Sequence, residues 1–301
     1  MAISRSQLLK ELLPGLNSLF GLEYKQHPEE WRQVFETENS DRSFEEEVKL
    51  SGFGLAGTKD EGAAITYDDA QEAYTSRYVH NTIAMGFSLT EEAIEDNLYA
   101  SLSARYTKAL ARAFQHTKEI KGAAVLNEGF TGQVGGDGVN LLSTAHPLVN
   151  GGTNSNEPST PADLNETSLE AAVIQIGKWT DERGLKIAAR PQKLIIPSDL
   201  QFEAERILKS TMRAGTADND VNALASTSAI PGGYMVHHFL TDPDAWFLTT
   251  DVANGLKHFV RVAMKTSMEG DFETGNVKYK GRERYSFGYS DPLGIFGSPG
   301  A

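Results

Sequence analysis

Hydrophobic positions change their period several times along the chain. In FSLTEEAIEDNLYASLSARYTKALARAFQHTKEIKG (87–122), Ile94, Leu98, Leu102, Tyr106, Leu110 and Phe114 recur at every fourth position. At about 100° per residue such a row drifts by about 40° per step, which predicts one long helix whose successive turns need different covering partners. Ser88 and Glu91 have the S-x-x-E spacing of a capping box, Glu91 and Glu92 suit the positive end of the helix dipole, and Lys118, Lys121 and Gly122 mark its end.

Upstream the pattern is different. Residues 1–43 read as a short helix interrupted by Pro14 and Gly15, a turn at Pro28 and the run EEWRQVFETE, with apolar positions too sparse for a core of their own. That predicts an arm packed on something else. Two β-prone runs follow, EEEVKLSGFGLAG and AYTSRYVHNTIAMGF, around the polar tip TKDEG and the acidic YDDAQE. Neither face of the second run is cleanly polar, and two strands alone are marginal in water, so the expected hairpin needs support from another surface. Gly52, Gly54 and Gly57 match the G-x-G-x-x-G spacing of a dinucleotide-binding turn, but a loop containing Gly62 follows them where that motif needs a helix. The expected role of these glycines is to let a strand bend or another backbone come close.

Downstream, residues 127–165 are rich in Gly, Asn, Ser and Thr around the island VNLLSTAHPLV, a long loop or irregular β region. TSLEAAVIQIGKWTDERG predicts a helix with a second capping box at Thr167 and Glu170, a buried face of Leu169, Val173 and Ile176, and a stop near Gly184. KLIIPSDLQFEAERILKS reads as a buried strand, a turn at Pro197 and a helix capped by Ser198. GGYMVHHFL, AWFLTT and LKHFVRVAMKTSM read as short strands, and NVKYKGRERYSFGYSDPLGIFG as one more strand and a tail. Helices and strands mix without a regular βαβ period, so the fold class is α+β.

Charge and composition then remove whole classes of function. The 28 basic and 41 acidic side chains leave a net charge of −13, the wrong sign for a protein that neutralises nucleic-acid phosphates. The absence of cysteine excludes disulfides, thiolate metal sites and cysteine nucleophiles. No stretch approaches the 18 apolar residues of a membrane span. Ser143 and His146 in STAHP could form a nucleophile and base, but no G-x-S-x-G elbow surrounds Ser143, and Pro147 biases His146 toward an extended loop. His237 and His238, adjacent in an expected strand, should point to opposite faces and share no metal. DNDVN (218–222) lacks the central Gly and final Glu of a calcium loop. Asp68 with Asp69, and the run Glu45 to Glu47, read as solvated faces or charged contacts to a neighbour. With no catalytic, cofactor or metal site expected, an arm and a long hairpin point to assembly.

The order of these pieces resembles the major capsid proteins of tailed bacteriophages, with their Hong Kong 97-like fold, over nearly the whole chain. LLSTAHPLVNGGTNSN, DERGLKIAARPQKLIIPSDLQFEAERILKS and DPDAWFLTT resemble the Mu-like major head subunit branch in particular. The resemblance implies an N-terminal arm at 1–43, an E-loop at 44–88, a peripheral domain at 89–164 and 263–301 with the spine helix at 89–122, and an axial domain at 165–262. It implies pentamers and hexamers closing into an icosahedral shell around double-stranded DNA, without sequence-specific binding and without a cofactor. Gly52, Gly54, Gly57, Lys59, Asp60 and Glu61 would contact the next subunit through the E-loop. A portal, a decoration protein and a scaffolding protein are implied partners, the last a separate chain unless Met1 already begins a mature form. The virion is the implied location, with assembly in the host cytoplasm. Some relatives cross-link a Lys of the E-loop to an Asn, and Lys59 lies at the tip, but its partner is not assigned. Two rivals remain open: an encapsulin-type nanocompartment shell, against which the long arm argues, and a hydrolase using Ser143 and His146.

Overall fold

A computed structural model describes residues 5–26, 28–90, 92, 99–212, 221–271 and 273–301. Helix α1 spans Arg5–Gln26 and runs through Pro14. After a short 3-10 turn at Trp31–Gln33 come strands β1 (Glu36–Asn39), β2 (Phe44–Leu50), β3 (Glu72–Val79) and β4 (Asn81–Leu89). Helix α2, Tyr99–Asn127, is 29 residues long. The middle of the chain holds the two-residue strands β5 (His146–Pro147) and β6 (Thr153–Asn154), α3 (Glu166–Ile176), β7 (Pro191–Ile196), α4 (Gln201–Lys209), the single turn α5 (Ala223–Ser226), β8 (Tyr234–Val236) and β9 (Trp246–Thr250). Strands β10 (Leu256–Gly270), β11 (Val277–Tyr289) and β12 (Ile295–Ser298) end it.

Two four-stranded sheets carry the architecture. One has the order β1-β10-β11-β4, with β1 parallel to β10 and the other pairs antiparallel. The other has the order β12-β9-β7-β8. Along β11, Val277, Tyr279, Glu283 and Tyr285 are buried at every second position, the period of a strand with one covered face. α2 covers that face: the ring of Phe114 fills the space above Gly281, and Lys118 reaches Glu283 at 2.7 Å.

The drift expected along α2 is observed. Leu110, Ala111 and Phe114 join a cluster with Leu16 and Phe20 of α1 and Tyr279, whereas Val125 and Leu126 join a second one with Trp31, Phe35, Leu141, Phe247 and Ile295. Ile94 lies outside the described residues, as do Leu98 and Glu91, and Ser88 sits in β4 opposite Lys278, so it caps no helix. The helix also passes through the expected stop at Gly122. A Cβ there would lie 3.0 Å from the Cβ of Trp31, so the glycine is a notch in which the indole docks.

Several other expectations need correction. The arm does join the core: Leu16, Phe20, Trp31, Val34 and Phe35 are all buried, because α1 and the turn at Trp31 lie against α2. The run Tyr74–Phe87 divides at His80; its second half is β4, which pairs with β11 and leaves the hairpin. α3 is capped at Asn165, whose side chain accepts from Ser168 N–H while Ser168 Oγ accepts from Asn165 N–H, and it ends at Gly177. The box is thus shifted from Thr167–Glu170, Asn165 being the better-placed acceptor. Ser198 opens a 3-10 turn before α4 and caps nothing. β10 runs through the 262/263 division as one strand, with register shifts on either side of Val262, and the last strand, β12, pairs with β9 of the second sheet.

Candidate functional site

β2 and β3 form an antiparallel hairpin from Phe44↔Val79 to Leu50↔Glu72. The inward side of β2 is charged and anchored. Glu45 accepts from Ser40 Oγ at 2.7 Å. Glu47 accepts from Lys257 Nζ at 2.5 Å and also from Ser290 Oγ, while the same Lys257 reaches Glu38 at 2.8 Å. Burial pulls Lys257 down, yet its bonds to Glu38 and Glu47 outweigh that and hold it above the usual lysine range. Lys49 pairs with Asp291 at 2.8 Å and Glu182 at 3.2 Å. The outward side is uncovered, with Val48, Leu50 and Val79 exposed around an ion pair of Glu46 and Arg77 at 3.7 Å.

Beyond the strands the chain continues outward. Ser51 and Gln71 close the base, Ser51 N–H donating to Gln71 O at 2.8 Å and Gln71 N–H to Ser51 Oγ at 2.9 Å. Residues 52–71 form no strand, and every one of them is exposed. Gly52, Gly54 and Gly57 therefore lie in an extended loop and not in the strand expected for them; without a partner strand, glycine has nothing to hold it in a ladder. Lys59, Asp60 and Glu61 sit at the far end, in a turn closed by Ala63 N–H donating to Asp60 O at 3.1 Å. On the returning side, Asp68 accepts from Gly54 N–H at 2.7 Å, which with Arg183 keeps its carboxyl below the usual range. Arg183 bonds Asp68 at 3.4 Å and the Asp69 carbonyl. Phe53 (64% exposed), Leu55 (84%), Ile65 (58%) and Tyr67 (85%) stand open on this loop. Such a concentration of uncovered apolar side chains on one projection marks an interaction surface.

The pair considered for hydrolysis does not form. His146 is buried, with Nδ1 2.6 Å from Asp137 Oδ2 and Nε2 3.0 Å from Asn156 Oδ1. Ser143 instead donates its N–H to the same Asn156 oxygen at 2.9 Å, and its Oγ accepts from Ala145 N–H. Asn156 Nδ2 donates to the carbonyls of Leu141, Pro292 and Ile295. Both ring nitrogens are thus committed to a knot that ties the loop after α2 to the C-terminal segment, and neither is a base toward Ser143. Glu45, Glu47 and Asp68, expected as solvated or facing a neighbour, make the contacts within the chain given above, while Glu46 stays exposed.

His237 and His238 also depart from expectation. They lie past the end of β8, so strand alternation does not apply, and both Nδ1 atoms approach Glu30, at 3.4 Å and 2.5 Å. Glu119 of α2 stands beside them, accepting from Glu30 N–H at 2.9 Å and Trp31 N–H at 3.0 Å. No sequence spacing relates residues 30, 119 and 237; only the docking of Trp31 brings them together. Burial raises the Glu119 carboxyl to about 7 despite its two N–H donors. Between about 4.5 and 7 the folded chain therefore holds a proton that the unfolded chain releases. This group adds stability as the pH falls across that window and withdraws it as the pH rises. Urea unfolding at pH 5 and pH 7.5 is expected to show this slope, and Glu119→Gln to remove on the order of 2 kcal/mol of the difference; an unchanged slope would contradict the assignment.

A family model described as phage capsid protein matches residues 72–297. No curated protein sequence matches the chain. Among solved structures, a virus-like particle from Pyrococcus furiosus is similar at a TM-score of 0.53 and 10% identity, over 96% of this chain and 99% of that one. The capsid of a native GTA particle is similar at 0.53 and 15% identity, over 88% and 87%. The holo-SrpI encapsulin complex from Synechococcus elongatus is similar at 0.54 and 8% identity, over 92% and 89%. The fold is the Hong Kong 97-like capsid fold, and at these identities it does not separate phage shells from encapsulin shells.

Proposed function

Because the chain belongs to the phage capsid protein family, we propose that its copies assemble as pentamers and hexamers into an icosahedral phage shell around double-stranded DNA. Family and fold point to a structural, non-enzymatic protein. The observation that carries the assembly is the hairpin itself: a charged, fixed base supports an exposed loop whose Phe53, Leu55, Ile65 and Tyr67 have no cover within the chain. Laid over the next subunit, that loop would bury them, with Gly52, Gly54 and Gly57 adapting its path and Lys59, Asp60 and Glu61 meeting the neighbour at the tip. Contacts of this head-to-tail kind close into rings when the rotation between copies closes.

The finer reading follows the same logic. Residues 1–43 act as the arm and 44–79 as the E-loop, while the sheet of β1, β10, β11 and β4 with α2 builds the peripheral domain and the sheet of β12, β9, β7 and β8 the axial domain. Membership of the Mu-like head subunit branch rests on the three phrases quoted above. A separate scaffolding protein, a portal and a decoration protein complete the particle, which forms in the host cytoplasm and leaves as the virion. Among the described residues no helix is long and apolar enough to cross a membrane.

The encapsulin reading is kept as a second one because the TM-score of 0.54 to such a shell is level with the 0.53 to the GTA capsid. Electron micrographs of particles purified from the native source, with their contents assayed, decide between them. DNA inside hexamer-bearing shells is the expected result; a shell loaded with cargo protein favours the encapsulin, and a strictly monomeric chain counts against both.

A further inference from the structure

Three distant stretches of chain converge on one buried cluster: the turn before Trp31, the later turns of α2 and the segment following β8. They bring Glu30, Glu119 and His237 together, with one possible ligand atom from each within 4.8 Å of the other two. Glu119 is 4% exposed and His237 0% exposed. His238 extends the set, its Nδ1 2.5 Å from the Glu30 carboxylate and its side chain open to solvent. We propose that Glu30, Glu119 and His237 bind a divalent transition-metal ion of the zinc class, with His238 as the fourth ligand.

Two features of the cluster call for a cation. The His237 imidazole is held there by weak contacts: Phe239 N–H and a Glu30 oxygen each stand 3.4 Å from Nδ1, and buried Nε2 has no hydrogen-bond partner. Nδ1, the ring nitrogen that faces Glu30, makes no contact shorter than 3.4 Å and can give its lone pair to an ion. The second feature is charge. Two carboxylates share the site, neither paired to a lysine or arginine among the described residues, and a divalent ion would offset both.

The donor set selects the ion. Imidazole nitrogen with carboxylate oxygen suits zinc and its neighbours in the first transition row, whereas calcium and magnesium prefer oxygen alone. With bonds of about 2.0–2.2 Å, tetrahedral ligand atoms sit about 3.4 Å apart, so the cluster has to contract by about 1 Å to close on the ion. Closure would clamp the N-terminal segment to the long helix and to the edge of the second sheet.

The test uses the full chain, treated with EDTA, dialysed and titrated with zinc chloride by calorimetry and by thermal unfolding. One ion per chain is expected, with Tm rising by about 5 °C at a hundredfold excess over Kd. Glu119→Gln and His237→Gln should each weaken binding at least tenfold, and His238→Ala several-fold. His238 is exposed, so its alanine variant folds even if the buried variants do not. Absence of saturable binding below about 1 mM zinc overturns the site. Binding that is undiminished in His238→Ala and in whichever buried variant folds also overturns it, by placing the ion on other histidines.

Discussion

Replacing residues 53–67 with a short Gly-Ser turn is expected to abolish shell formation while leaving the chain folded. The loop makes few contacts to the body of its own chain: beyond the base at Ser51 and Gln71, the ties are Asp68 to Gly54 and Arg183 to Asp68 and Asp69. None of the apolar side chains at 53, 55, 65 and 67 belongs to a core cluster, so their removal costs little internal burial. Between subunits the balance reverses, because burying four large apolar side chains is worth roughly 1.5–3 kcal/mol each before the cost of ordering the loop. A shell repeats that contact at every subunit, and its loss is therefore cooperative. Gly52→Val is the finer probe. Gly52 has φ +68°, a left-handed conformation that a β-branched residue adopts only with strain, so the variant should redirect the loop and reduce particle yield. Circular dichroism and sedimentation check both variants; shells of normal yield from the deletion would remove the loop from the assembly contact.

The second large effect is expected at the other end of the hairpin's support. Trp31→Ala should lower the stability of the unassembled chain by about 3–5 kcal/mol in urea unfolding. The indole is 1% exposed and stands edge-on to His258 at 4.4 Å and to Phe287 at 5.6 Å, with Lys118 over its ring at 5.8 Å. It seats against Gly122 of α2, beside the ring of Phe287. Its Nε1 has no partner, so the substitution also deletes one unsatisfied donor, which trims the loss without reversing it. A change below about 1 kcal/mol would mean that residues 28–35 dock only loosely.

What the sequence disclosed follows its period. The row through Leu110 and Phe114 announces a long helix with changing partners, and alternation in NVKYKGRERY announces β11, because both signals are local. Trp31 carries no such local signal. One tryptophan amid charged residues does not say what it packs on, and its burial depends on a glycine 91 positions away. Gly122, by composition a helix stop, continues as helix because the indole covers it. The glycines at 52, 54 and 57 were legible as conformationally free, but whether such a segment forms strand or open loop depends on a pairing partner that sequence does not reveal. Glu30, Glu119 and His237 carried no signal at all, since no motif spans such separations. His146 was visible, but its engagement by Asp137 and Asn156 was not.

The anchors of the hairpin also set a timetable. Glu47 and Lys49 leave the ribosome early, yet their partners are Lys257, Ser290 and Asp291, and β1 waits for the same β10 to pair. Contacts of such sequence separation form late. Until the last strands are made, the projecting loop has no fixed angle to the body, so a truncated chain cannot present it in register to a neighbour. Completion of synthesis thus becomes a condition for joining the lattice: a fragment exposes the adhesive loop but lacks the geometry to be incorporated, and the growing shell is proofread by the C-terminus of each subunit it admits.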